Sequence, residues 1–187
     1  MCFRWCLLEH ISKISCGDKK PLTETHIIST IVEHKPGVLY EVSNMFRRRG
    51  FNIESISVGP TEQEGLARMT IMVRGDEATV EQVTKQLHKL IDVIKVVKLD
   101  PNKSVIREMA LVKVHVANSN ARSDVMQYAN IFRGNVIDVS PESLTIEITG
   151  DSEKIDAFME ICRTFGVKEV ARTGITALQR GGRAVGG

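Results

Sequence analysis

The stretch Glu33–Ile56, EHKPGVLYEVSNMFRRRGFNIESI, reads as a strand end, a helix and the start of a second strand. Val38, Leu39, Val42, Met45 and Phe46 recur at helical spacing. Pro36 suits the first helical turn and Gly50 the position just past the end. The β-branched run HIISTIV precedes, and NIESISVGP follows as a strand with Ile56 and Val58 on one face and Ser55 and Ser57 on the other. Pro36-Gly37 gives the helix a start poor in side chains. The first N–H groups of a helix have no partner within it, and such groups attract anions.

Working outward, TEQEG reads as a hairpin turn and LARMTIMVRG as the next strand. Asp76 caps a helix with the stripe Val80, Val83, Leu87 and Leu90, and DVIKVVKL closes the unit. The order is βαββαβ. Asp100-Pro101-Asn102 is a break with turn chemistry. After it the pattern repeats: EMALVKVHV, a helix from about Ser123 to Arg133 stopped by Gly134, a hairpin of NVIDVS and SLTIEITG around Pro141-Glu142, a helix capped by Asp151 or Ser152, and VKEVARTG. The reading is an α+β chain of two tandem ferredoxin-like βαββαβ domains, 25–100 and 101–175. Residues 1–24 are expected to be a disordered extension and 176–187, which contain QRGGRAVGG, a flexible tail.

Composition narrows the function classes. The 187 residues carry a formal net charge of +2, with 26% charged and only 5% aromatic side chains. A dedicated nucleic-acid binder is usually more basic. RNA modules of the same strand order stack bases on aromatics of the two central strands, and neither HIISTIV and LARMTIMV nor ALVKVHV and SLTIEIT contains one. The run Arg47-Arg48-Arg49 reads as a solvated helix end that complements the dipole. Cys2, Cys6, Cys16 and Cys162 match no common zinc spacing, so no metal site is expected, and reduced thiols in the cytoplasm are the reading. The five histidines are scattered, and no H-E-x-x-H, serine elbow, P-loop or dinucleotide motif appears. His26, His88 and His115 read as surface residues. No catalytic residue is assigned.

A small-molecule sensor remains. Free N–H groups from Gly37 to Leu39 suit a carboxylate, and Gly37 sets no Cβ in the way. Asn52 is expected beside that junction, in a buried site among apolar neighbours, with Val38, Leu39 and Ile53 as an apolar wall. Spacing alone equally allows Pro36-Gly37 to be a plain helix start and Asn52 a turn cap.

RRGFNIESISVGPTE followed by ARMTI resembles the ACT domain of acetolactate synthase small subunits. REMALVKV, IFRGNVIDVSPESLTIEITG, KIDAF and GVKEVARTGITALQRG resemble the carboxy-terminal domain of that family. The resemblance runs from Thr25 to Gly181. It implies a regulatory subunit without catalysis of its own. A separate large subunit would carry thiamine diphosphate, Mg²⁺ and FAD and condense pyruvate with a second 2-oxo acid in branched-chain amino-acid synthesis. The small subunit would raise that activity and confer feedback inhibition, commonly by valine. ACT domains of the family pair side by side as homodimers with effectors at the pair interface. The family's effector contacts fall here on His34, Gly37 and Asn52, with Ser57 and Gly59 nearby; His34 stands where bacterial members often carry Asn. A free-standing ACT amino-acid sensor acting on another enzyme is the alternative.

Overall fold

A computed structural model describes residues 24–182. The first unit comprises β1 (Glu24–Glu33), α1 (Val38–Arg49), β2 (Ile53–Pro60), β3 (Leu66–Gly75), α2 (Glu77–Leu87) and β4 (Val93–Leu99). Its antiparallel sheet has the order β2-β3-β1-β4. A short 3₁₀ turn, Pro101–Lys103, leads to the second unit: β5 (Ser104–His115), α3 (Ser119–Ile131), β6 (Asn135–Ser140), β7 (Ser143–Gly150), α4 (Ser152–Arg163), β8 (Val167–Arg172) and β9 (Thr176–Gln179). Here the order is β6-β7-β5-β8, and β9 pairs with the first part of β5. Both units therefore have the expected βαββαβ architecture.

Period-two alternation sorts each strand between two faces. In the first unit Ile28, Val32, Met69, Ile71 and Val73 pack under α1 and α2 against Val42, Phe46, Val80, Val83 and Leu87. In the second, Val112, Val114, Leu144, Ile146 and Ile148 pack under α3 and α4 against Val125, Ile155 and Phe158. The opposite face of the first sheet is apolar too. Ile27, Ile31 and Leu99 are buried there with Ile175 and Ala177, which the far end of the chain supplies.

That cover corrects the expected flexible tail from 176 onward. Thr176–Gln179 is strand β9, because Ala177 has an apolar sheet face to lie on and its backbone pairs with Ser104–Arg107. Strand β5 thus serves two layers. Its first residues pair with β9 over the first sheet, and its remainder pairs with β7 and β8 in the second.

Smaller differences also have physical causes. Helix α1 begins at Val38, with Pro36 outside it and Gly37 as its left-handed N-cap. Helix α3 begins at Ser119 because Asn118 caps it, the side-chain oxygen accepting from Ala121 N at 2.8 Å. Gly134 does not supply the left-handed stop of α3; Arg133 does, at φ 52°. His26 is buried, not at the surface, and its Nε2 lies 3.2 Å from the Gly75 carbonyl oxygen. Strand β1 starts one residue before the expected domain boundary. The extension expected for 1–24 lies, up to residue 23, outside the described residues.

Two outcomes follow from this packing. Phe46 is 1% exposed, with its ring edge-on to Phe51 at 6.3 Å, so Phe46→Ala should cost about 3–5 kcal/mol, read as an earlier urea midpoint for the first unit. Burial pushes the Cys162 thiol up to about 11. It should resist N-ethylmaleimide at pH 7.5 until denaturant is added, as read by peptide mass mapping, because the thiolate is the nucleophile.

Candidate functional site

Three of the four α-helices among the described residues begin with a side chain that satisfies a free N–H. Asp76, Asn118 and Asp151 accept from Thr79 N, Ala121 N and Lys154 N at 2.8, 2.8 and 2.9 Å. Helix α1 differs. Its N-cap Gly37 sits at φ 95°, ψ −23°, and no side chain caps it. A Cβ placed on Gly37 would meet nothing within 4 Å, so the space over the turn is open. The N–H groups of Val38 and Leu39 have no partner inside the helix by its geometry. The turn thus offers backbone donors, the positive end of a helix dipole and no obstructing atom.

The flanking residues fix this turn. The His34 backbone N–H donates to Gly65 O at 2.7 Å, tying the end of β1 to the β2–β3 hairpin. Lys35 Nζ bridges Asp92 at 2.6 Å and Glu33 at 2.8 Å. The hydrogen bonds to Asp92 and then Glu33 hold its ammonium well above the usual lysine range. Its charge is therefore answered locally. The His34 side chain is exposed beside the turn.

The sequence-derived candidates do not converge within one chain. Helix α1 has twelve residues, a length of about 18 Å. His34, Gly37, Val38 and Leu39 lie at its beginning, whereas Asn52 and Ile53 follow its end. The expectation that Asn52 adjoins the Gly37 turn is thus corrected for a single chain. Strand register agrees: Ile53 pairs with Val73, while His34 reaches Gly65 at the other end of β3. Nor is Asn52 buried. It is exposed, and its Nδ2 donates to Glu54 Oε1 at 3.1 Å. Val38 is 4% exposed and belongs to the core rather than to a ligand wall; Leu39, half exposed, is free to serve as one.

Ser57 and Gly59 form a third group on the back face of β2. The Ser57 hydroxyl is 3.2 Å from that of Thr176, so the chain's own C-terminal region engages it. Nothing lies within 4 Å of a Cβ placed on Gly59. Strand β2 is an edge of its sheet. It passes along its length from Asn52 and Ile53 to the hairpin that holds His34.

Two features escaped the sequence reading. Lys35 with Asp92 and Glu33 is a contact between distant segments with no local signal. The packing of residues 174–176 against β2 is masked in the sequence by the Gly- and Arg-rich composition that follows. A cavity of about 200 Å³ between α1 and α2, lined in part by Glu41, Arg48, Arg49 and Lys89, includes none of the candidates. Among the described residues no cluster of His, Cys, Asp or Glu is placed to hold a metal, and no helix is long and apolar enough to cross a membrane.

Gly37 itself can be tested. A β-branched residue at φ 95° is strained by about 1–3 kcal/mol, so Gly37→Val should lower the melting temperature. Gly37→Asn, which tolerates the left-handed region, should lower it less.

Comparison with known proteins completes the description. Residues 28–95 match the model of the "AHAS small subunit-like ACT domain", and residues 107–181 match that of the "Small subunit of acetolactate synthase". A protein of Methanothermobacter thermautotrophicus named "Probable acetolactate synthase small subunit" is 61% identical over 87% of this chain and 96% of its own length. The acetolactate synthase small subunit of Mycobacterium bovis is 52% identical, with the same two coverages. The crystal structure of the small subunit from Thermotoga maritima superposes with a TM-score of 0.80 at 47% identity, over 86% of this chain and 99% of that one.

Proposed function

The chain belongs to the acetolactate synthase small-subunit family, and from that premise we propose that it is a non-catalytic regulator that senses a branched-chain amino acid, valine first, for a catalytic large subunit. Thiamine diphosphate, Mg²⁺ and FAD belong to the large subunit in this reading, and the small chain carries no cofactor. The pair works in the cytoplasm. The small subunit raises acetolactate formation and withdraws that support when the amino acid accumulates.

The observation that carries the sensing role is the uncapped start of α1. Three helices use an Asp or Asn where this one has Gly37 with open space above it. An amino-acid carboxylate supplies the missing acceptor there. The second half of the site is Asn52 with Ile53, which one chain holds at the far end of α1. A homodimer resolves this separation. Two copies of edge strand β2 paired antiparallel about a two-fold axis at their centres bring Asn52 of each chain to the Pro60 end of the other. That is the end at which His34 and Gly37 lie. The ligand's carboxylate then rests on one chain's turn, with Leu39 and the second chain's Ile53 as apolar neighbours, and Asn52 takes the remaining polar contact. Two equivalent sites form per dimer. A free-standing sensor that acts on a different enzyme keeps the same site but needs no large subunit.

The test mixes the pure chain with a large subunit and assays acetolactate with and without valine. The chain alone, supplied with the three cofactors, should give no product above a protein-free control. The mixture should exceed the large subunit alone and fall with valine; a mixture no more active than the large subunit would overturn the reading. Asn52→Ala should weaken valine inhibition about ten- to a hundredfold, by the usual worth of a hydrogen bond to a charged ligand group. Activation should persist. If inhibition is unchanged and only the melting temperature falls, Asn52 is a structural residue.

A further inference from the structure

Strands β8 and β9 form one interrupted strand antiparallel to β5. Ala110 pairs with Arg172 and Arg107 with Thr176. Between these pairs β5 has two residues, Glu108 and Met109, and the opposite strand has three, Thr173, Gly174 and Ile175. The extra residue makes a bulge, a device that re-aims a strand. The bulge is tied to the second unit: Thr173 N donates to Met109 O at 2.9 Å, and Met109 N donates to Thr173 Oγ1 at 3.0 Å. Just before it, Arg172 Nε reaches the buried Glu108 carboxylate at 2.6 Å and Arg172 Nη1 reaches Asp156 on α4 at 2.5 Å.

The other side of the bulge lies on β2. A Cβ on Gly174 would come 2.6 Å from Ile56 O and 2.8 Å from Ile56 C, so backbone rests directly on backbone. Ile175 N points to Ser55 Oγ at 3.5 Å, and the Thr176 hydroxyl meets that of Ser57 at 3.2 Å. Ser55 and Ser57 are small enough to admit this approach, and Gly174 is required by it.

We propose that the Thr173–Thr176 bulge positions edge strand β2, and is the contact through which a change at β2 reaches the second unit. The inference rests on the effector site proposed above, because β2 begins at Ile53, directly after Asn52. A shift of β2 cannot proceed without moving Gly174. Gly174 is bonded through Thr173 to β5 and continues into Arg172, which holds α4. Coupling of this kind needs an element that both sites bias, and the bulge touches both units in three successive residues.

The experiment uses the full chain with its catalytic subunit. Gly174→Ala should still bind valine by calorimetry and keep basal activation within about threefold, while the inhibition reached at saturating valine falls to about half the wild-type extent or less. Thr176→Val, which keeps the shape and removes the hydroxyl contact, should reduce that extent less, in the same direction. If Gly174→Ala fails to fold, Thr176→Val decides alone. Hydrogen exchange on the full chain gives an arm that needs no effector. Ser57→Ala should quicken exchange in β8 and the start of α4, across the unit boundary. Unchanged inhibition in folded variants, or unchanged exchange in β8 and α4, overturns the inference. A wild-type complex indifferent to valine would instead remove the proposed sensing role, and the exchange arm would still decide the bulge.

Discussion

A four-stranded sheet with helices on one face has a second face to hide, and the first unit makes that face of Ile27, Ile31 and Leu99. Left open, it would be an apolar patch of the kind that sticks to other surfaces. The chain covers it with β9 and the residue before it, placing Ile175 and Ala177 across it. This one burial sets the rest of the arrangement. It extends β5 beyond the second sheet to pair with β9, it makes the two units neighbours, and it fixes residues 174–176 on the back of β2. The hydrophobic effect supplies the attraction, but Gly174, Ser55 and Ser57 let the backbones come close enough for it.

Strand β2 then has three separate relationships. Its inner face carries Ile56 toward the helices, its back face carries Ser55 and Ser57 under the bulge, and among the described residues its outer edge has no strand beside it. An edge strand presents unpaired backbone groups, and pairing with a second copy is one way to satisfy them. The same pairing, as proposed here, joins the Gly37 turn to the Asn52 strand start. Fold, dimer and site are then consequences of where one strand lies.

Much of the fold was legible because the signals were local. Apolar spacing from Val38 to Phe46, the turn at Thr61–Gly65 and the cap at Asp76 each depend on a few neighbouring residues. The candidate turn was legible for the same reason, since a Gly at a helix start speaks for itself. What was not legible depends on contacts between distant residues. Composition after Ile175 suggests a tail, and only the apolar back face of the sheet formed by residues 24–99 makes it a strand. Asn52 and Gly37 both neighbour α1 in sequence, yet a helix separates its two ends by its full length. Alternation alone makes His26 a surface residue, since it does not reveal the Gly75 carbonyl that its ring meets across the sheet.

The central claim is that each effector site is built from two chains, one giving Gly37 and the other Asn52. Mixed dimers test it most directly. A dimer of one Gly37→Val chain and one Asn52→Ala chain holds both defects in one site and neither in the other. Differently tagged chains, co-expressed and purified through both tags, should therefore bind one valine per dimer with wild-type affinity by calorimetry, although each parent homodimer binds weakly or not at all. If the mixed dimer binds no better than its parents, the two residues serve the same chain's site or none, and the account is contradicted.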